Sequence, residues 1–169
     1  MTSGARHAGF TLLELLVTLV LIGIILSFAL LAIRGGSAAE QLEEETWRLH
    51  ALLRVARDEA VVQGRELALV VRETGYEFQV LGEEEWGGVE GDRLLRARDF
   101  PEGTEVALVI EELPVTLEAQ EEAEPPRIFV FSSGEMTPFE IGLRVENDGP
   151  GFYLRGNLLG ELEIEGPVE

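Results

Sequence analysis

Few residues of this chain are of a type and spacing that could do chemistry. His7 and His50 are the only histidines and there is no cysteine. Ser132-Ser133-Gly134 has the outline of a nucleophile turn, yet the only possible bases are His7, ahead of the apolar run, and His50, on an amphipathic helical stretch, so a serine triad is not expected. Without thiols there are no disulfides, thiolate metal sites or thiol redox reactions. The acidic runs Glu43–Glu45, Glu83–Glu85 and Glu121–Glu122 read as solvated loops and helix faces. Asn147-Asp148 could contribute to a calcium site, but the neighbouring carboxylates do not follow the helix–loop–helix calcium spacing. No glycine cluster follows a strand as a phosphate-binding loop requires. No catalytic residue, cofactor or metal ligand is therefore expected. What remains is one carboxylate in a costly place, Glu14.

Glu14 is the only charged residue in the 24-residue run from Phe10 to Ile33, where Thr11, Thr18 and Ser27 are the only other strongly polar side chains. As a helix the run would rise roughly 36 Å, at ~1.5 Å per residue, enough to cross a bilayer core of ~30 Å. A secretory signal would have a shorter apolar region and a small-residue cleavage site at its end. This run is longer, and Ser37-Ala38-Ala39 leads straight into a helical pattern, so a retained membrane span is expected. A carboxylate at the centre of such a span costs about 2.5–3.5 kcal/mol, and less near an interface. Two explanations fit: a carboxylate snorkelling to the headgroups without a role, or one that meets a cation at the same depth.

The elements around this residue follow from patterning. Arg6 and the initial amine favour a cytoplasmic N-terminus, weakly, because Arg34 and Arg48 lie beyond the other end of the span. Gly35-Gly36 reads as a flexible joint. From Ala38 the chain becomes amphipathic: Leu42, Thr46, Leu49, Leu53, Ala56 and Ala60 recur at steps of three and four, and Gly64 is the expected stop. Trp47 and His50 on this helix read as surface or boundary residues. Beyond Gly64 the period falls to two. Glu66–Arg72 and Tyr76–Leu81 flank Glu73-Thr74-Gly75 as a hairpin with glycine at its tight position. Gly82–Gly91 is expected to be a loop with Trp86 tucked beneath it. Further strands are expected at Leu94–Arg98, Val106–Ile110, Val115–Leu117, Ile128–Phe131, Phe139–Val145, Phe152–Arg155 and Leu162–Ile164, with an acidic, proline-ended loop over Ala119–Pro126. The fold class is α+β: a long N-terminal helix, half membrane-spanning and half amphipathic, packed on a C-terminal domain of about eight antiparallel strands in two sheets.

The formal net charge is −19, and all 13 basic residues are arginine. So acidic a surface repels phosphates and anionic headgroups, so neither nucleic acid binding nor peripheral membrane binding is expected.

Gly9-Phe10-Thr11-Leu12-Leu13-Glu14, followed by Leu15-Leu16-Val17, resembles the signal of type IV pilins and type II secretion pseudopilins. The resemblance implies a dedicated prepilin peptidase that cuts between Gly9 and Phe10 and N-methylates Phe10. Glu14 would then be the fifth mature residue, where the family places its glutamate. Cleavage would also create the missing cation, an ammonium on Phe10 that a neighbouring subunit's Glu14 can pair with. The run Leu52–Leu81, the tryptophan-bearing loop, Asp92–Arg98 with Pro101-Glu102-Gly103, and Phe131–Phe139 are together similar to the H-type minor pseudopilins. That similarity implies a pilin-like fold with a cytoplasmic leader over residues 1–9, an inner-membrane span over 10–33, an amphipathic helical half over 34–64 and a periplasmic β-rich domain over 65–169. It implies a non-enzymatic filament subunit near the tip of the periplasmic pseudopilus. Its partners would be the prepilin peptidase/N-methyltransferase, the major pseudopilin, the other minor pseudopilins of the tip complex and the inner-membrane assembly platform. Two alternatives stay open at this point: a minor pilin of a type IV pilus, and a membrane-anchored enzyme or binding domain that only mimics the signal.

Overall fold

The computed structural model describes residues 12–33, 37–83, 85–89, 91–117, 124–147 and 149–168. The leader, the Gly9–Phe10 junction, the Gly35-Gly36 joint, Asp148 and most of the acidic loop before Pro125 lie outside the described residues. The chain divides after Gly35 into two compact units.

The first unit contributes α1 (Leu12–Ile33), a helix rich in leucine and isoleucine with Glu14 in its first turn and no proline. Its described side chains, Leu12 to Ile25, are all exposed.

The second unit begins with α2 (Ala38–Gln63). Ser37 and Glu40 form a reciprocal cap: Ser37 Oγ accepts from the Glu40 N–H at 3.3 Å and the Glu40 carboxylate accepts from the Ser37 N–H at 2.9 Å. Gly64 ends the helix in the left-handed region (φ 62°, ψ 37°), its N–H donating to the Ala60 carbonyl. The expected stripe is buried in full: Leu42, Thr46, Leu49, Leu53, Ala56 and Ala60, joined by Leu52 and Glu45.

Among the described residues ten antiparallel strands follow, in two five-stranded sheets. The first sheet orders β3 (Trp86–Gly88), β2 (Gly75–Leu81), β1 (Leu67–Arg72) and β7 (Arg127–Val130), with β4 (Arg98–Asp99) also pairing with β2. The second orders β10 (Leu162–Val168), β9 (Gly151–Gly156), β8 (Phe139–Val145), β5 (Thr104–Ile110) and β6 (Leu113–Val115). α2 packs against β1 and β7 of the first sheet and β8, β9 and β10 of the second. The core between them holds Leu49, Leu53, Leu69, Ile128, Met136, Ile141 and Leu154, each removed from water. Burying a leucine or isoleucine so completely stabilises by roughly 1.5–3 kcal/mol. The helix is therefore the keel on which two sheets that pair by no shared strand are joined.

Local chemistry moved several boundaries. The Leu94–Arg98 segment is a turn: Asp92 Oδ1 accepts from the N–H groups of Leu94 at 2.6 Å and Leu95 at 3.2 Å, competing with strand pairing. Only Arg98–Asp99 pairs, while Leu95 plugs the core. β6 takes in Pro114 where Val115–Leu117 was expected, because an edge strand tolerates a residue without N–H. Within the expected Gly82–Gly91 loop, Trp86–Gly88 pairs with β2 as β3. Trp86 is half-buried, 5.5 Å from the Phe129 ring, and the Arg127 guanidinium lies over it at 5.8 Å. Gly75 is glycine for a different reason from the one expected: a Cβ there would lie 2.2 Å from the Arg98 carbonyl oxygen, so the residue admits β4.

Candidate assembly site

Of the three residues singled out by sequence, Gly9 and Phe10 lie outside the described residues, and Glu14 opens α1. Thr18, one turn on, donates its hydroxyl to the carbonyls of Glu14 at 2.8 Å and Leu15 at 3.0 Å. This satisfies the threonine hydroxyl within the helix, as a polar side chain on an apolar helix requires. Apart from Thr18, the described neighbours of Glu14 are apolar and open: Leu12, Leu13, Leu15, Leu16 and Val17. A helix that is hydrophobic all round needs a cover, either lipid or other helices. Among the described residues no helix is long and apolar enough to cross a membrane; the side chains of α1 are described only as far as Ile25, while its backbone continues to Ile33.

The second unit shows what its polar residues do. Ser132 is held, not freed: its N–H and Oγ donate to the two carboxylate oxygens of Glu66 at 3.1 and 2.8 Å. Ser133 donates to Glu135 at 3.1 Å, so this turn is a structural clasp, and among the described residues no histidine is its partner. Glu45 departs from the expectation for its acidic run. It is buried, accepts from the Tyr76 hydroxyl at 2.6 Å and pairs with Arg48 one turn along α2. Burial, then the hydrogen bond to Glu45, pushes the Tyr76 phenol far above its ordinary value. Its neighbour Glu44 is exposed and also reaches Arg48, at 2.8 Å. Nothing in the sequence separates the two glutamates except that Glu45 falls beside the Leu42–Thr46–Leu49 stripe.

On the outer face of the second sheet, Arg155 lies between Glu140 and Glu165 on the adjoining strands. The hydrogen bonds it donates to Glu165 and Glu140 raise its pKa further, so it is a fixed cation. The Tyr153 ring lies close to Gly142, where a Cβ would stand 3.1 Å from it. His50 on α2 meets the edge of Trp47 at 5.7 Å, and burial followed by the Arg54 charge lowers its pKa. Among the described residues no cluster of three or more histidine or carboxylate side chains could hold a metal ion.

The arrangement defines a class. A helix-led α+β domain with two antiparallel sheets is the pilin-like fold, and it aligns with the crystal structure of the minor pseudopilin EpsH from the type II secretion system of Vibrio cholerae (TM-score 0.66, 17% identity, 78% of this chain and 100% of that one). The prokaryotic N-terminal methylation motif matches residues 4–30, across Glu14, and the pattern of the type II transport protein GspH matches residues 45–160. The type II secretion system protein H of Pseudomonas aeruginosa is 34% identical over 152 residues, 84% of each chain. That of Aeromonas hydrophila is 28% identical over 160 residues, covering 89% of this chain and 87% of the relative. The chain belongs to the GspH family, the H-type minor pseudopilins of type II secretion.

Proposed function

We propose that the chain is a precursor cut between Gly9 and Phe10, N-methylated on Phe10 and assembled into a periplasmic pseudopilus near its tip. Residues 10–33 cross the inner membrane once, with the leader 1–9 in the cytoplasm and the domain beyond Arg34 in the periplasm. On assembly the exposed apolar surface of α1 passes from lipid to the helices of neighbouring subunits. Glu14 pairs with the Phe10 ammonium of a neighbour, an ion pair that sets axial register because in a low-dielectric core a misplaced charge is costly. Its partners are the prepilin peptidase, the major pseudopilin, the other minor pseudopilins and the inner-membrane assembly platform. The role is structural: the Ser132-Ser133-Gly134 turn is held by Glu66 and Glu135.

The observation that carries this reading is the coincidence of a methylation motif with an all-round apolar helix bearing one carboxylate in its first turn. Two substitutions test it separately. Gly9→Ala is expected to leave the precursor uncut, read as an unshifted band beside a cleaved wild type. Glu14→Leu is expected to be inserted and cut normally but to fall at least about tenfold in the filament fraction, the loss of one low-dielectric ion pair. Normal recovery of Glu14→Leu in the filament would overturn the pairing.

A further inference from the structure

We infer that a groove at one end of the second sheet docks a basic loop of another protein, in which an arginine or lysine stands beside an apolar side chain. The inference deepens the proposed function by placing partner recognition on the β domain, and rests on it only in taking the chain as an assembling subunit.

The groove has a volume of about 680 Å³, room for a few side chains. Val109, Pro138, Phe139 and Leu162 give it a largely apolar lining, and Glu112, Glu140, Glu161 and Glu163 stand around it. Arg155 is the only cation among its lining residues, and it is already held by Glu140 and Glu165. Glu112 and Glu163 are engaged in no ion pair among the described residues. An apolar ligand alone would strip water from these carboxylates without replacing it, which is unfavourable. A cation carried on an apolar segment would satisfy both surfaces at once.

The walls are set before any partner arrives. One is the β5–β6 turn, whose Glu111 N–H donates to the Pro138 carbonyl at 3.0 Å. The other is the β9–β10 turn, closed by Asn157, whose N–H donates to the Glu161 carbonyl at 3.1 Å and whose Oδ1 accepts from the Glu161 N–H at 3.0 Å. Arg57 of α2 anchors the same turn by donating to the Gly160 carbonyl at 2.8 Å. Both turns also present open leucines: Leu113 beside the first, Leu158 and Leu159 within the second. Exposed leucines around a preformed groove mark an interaction surface.

Charge selects the occupant. A second copy of this chain would bring another net −19, and the chain's own segment 118–123 carries Glu118, Glu121 and Glu122. Both are repelled by the groove's carboxylates. A basic partner is attracted over a distance that salt screens, which makes the encounter faster and more selective.

The test places the photoreactive residue p-benzoylphenylalanine at Val109 in the full chain, in cells that make the secretion apparatus, with the exposed Leu94, in the turn before β4, as the control position. After illumination the adduct peptide is sequenced by mass spectrometry. The expected result is an adduct at Val109 and none at Leu94, in a segment where lysine or arginine adjoins an apolar residue. Glu112→Arg/Glu163→Arg is expected to cut its yield at least about tenfold, as reversal of close interfacial charges does, and the isosteric Glu112→Gln/Glu163→Gln to cut it less. An acidic or uncharged adduct segment, an adduct to a second copy or to lipid, no adduct, or a yield indifferent to both double substitutions would each overturn the inference. Cleavage after Gly9 and recovery in the filament fraction are read in the same cells. If those persist without the adduct, the groove assignment fails and the assembly reading stands. If the basic adduct forms on a chain that is neither cut nor recovered with filaments, the assembly reading fails and the groove stands.

Discussion

The two helices of this chain are of comparable length and opposite need. α2 is amphipathic, and its apolar stripe is covered by its own two sheets; even its buried carboxylate, Glu45, finds Tyr76 and Arg48 within the domain. α1 is apolar apart from Glu14 and Thr18 over its described side chains, and these stay open from Leu12 to Ile25. An apolar helix face left open within a chain must be covered by something outside it. The difference separates two roles: α2 makes a domain, and α1 makes the domain part of something larger.

Substitutions can break that comparison. Leu53→Ala in α2 is expected to destabilise the β domain by about 2–5 kcal/mol, because the side chain is wholly buried and its cavity cannot fully collapse. Leu16→Ala in α1, equally large to small, should leave the domain's denaturant midpoint unchanged. A shift at Leu16 matching that at Leu53 would show that α1 contributes to the domain's core. The adjacent glutamates sharpen the contrast within α2. Glu45→Ala strands the Tyr76 hydroxyl in the core and should cost about 1–3 kcal/mol in equilibrium unfolding, whereas the exposed Glu44→Ala should cost no more than ~0.5 kcal/mol.

The next effect has the opposite sign. Glu111 and Glu112 both sit in the left-handed region (φ 49° and 67°) of a two-residue hairpin that favours Asn-Gly. Glu111→Asn/Glu112→Gly is therefore expected to stabilise the domain by about 1 kcal/mol while weakening groove docking. Strain kept at the rim of a groove is consistent with the glutamates being retained for contact.

The smallest effect is on pH dependence. His50 has its pKa lowered in the folded domain, so the unfolded chain takes up the proton first as pH falls. Its contribution is fully present above the unfolded value of about 6.5 and is lost as pH falls through the folded value. His50→Gln should flatten stability against pH over that interval, read from thermal midpoints.

Much of the domain could be read in advance because its signals are local. The α2 stripe is set by steps of three and four, and β8 matched the alternation from Phe139 to Val145 residue for residue. Ser37 and Glu40 also carried a readable cap signature that the periodicity overshadowed. The misplaced elements were decided by competition or by partners distant in sequence. Asp92 diverts Leu94 and Leu95 from a strand with its own carboxylate, and Pro114 is admitted only because β6 proves to be an edge. Glu45 differs from Glu43 and Glu44 in sequence only by its place beside the apolar stripe, and its partner Tyr76 lies 31 residues later. The groove was invisible for the same reason, since its lining comes from the β5–β6 turn, the start of β8 and the β9–β10 turn.

Sequence by itself determined the adjacent Gly9 and Phe10, the carboxylate of Glu14 close behind them, and the apolar run around it. Each is a matter of residue type at short spacing, which needs no fold to be read. Only the tertiary structure decided which carboxylates are buried, which turns are strained, and where an acidic surface becomes a groove. Those depend on strands brought together across tens of residues, and one-dimensional spacing carries no record of that meeting.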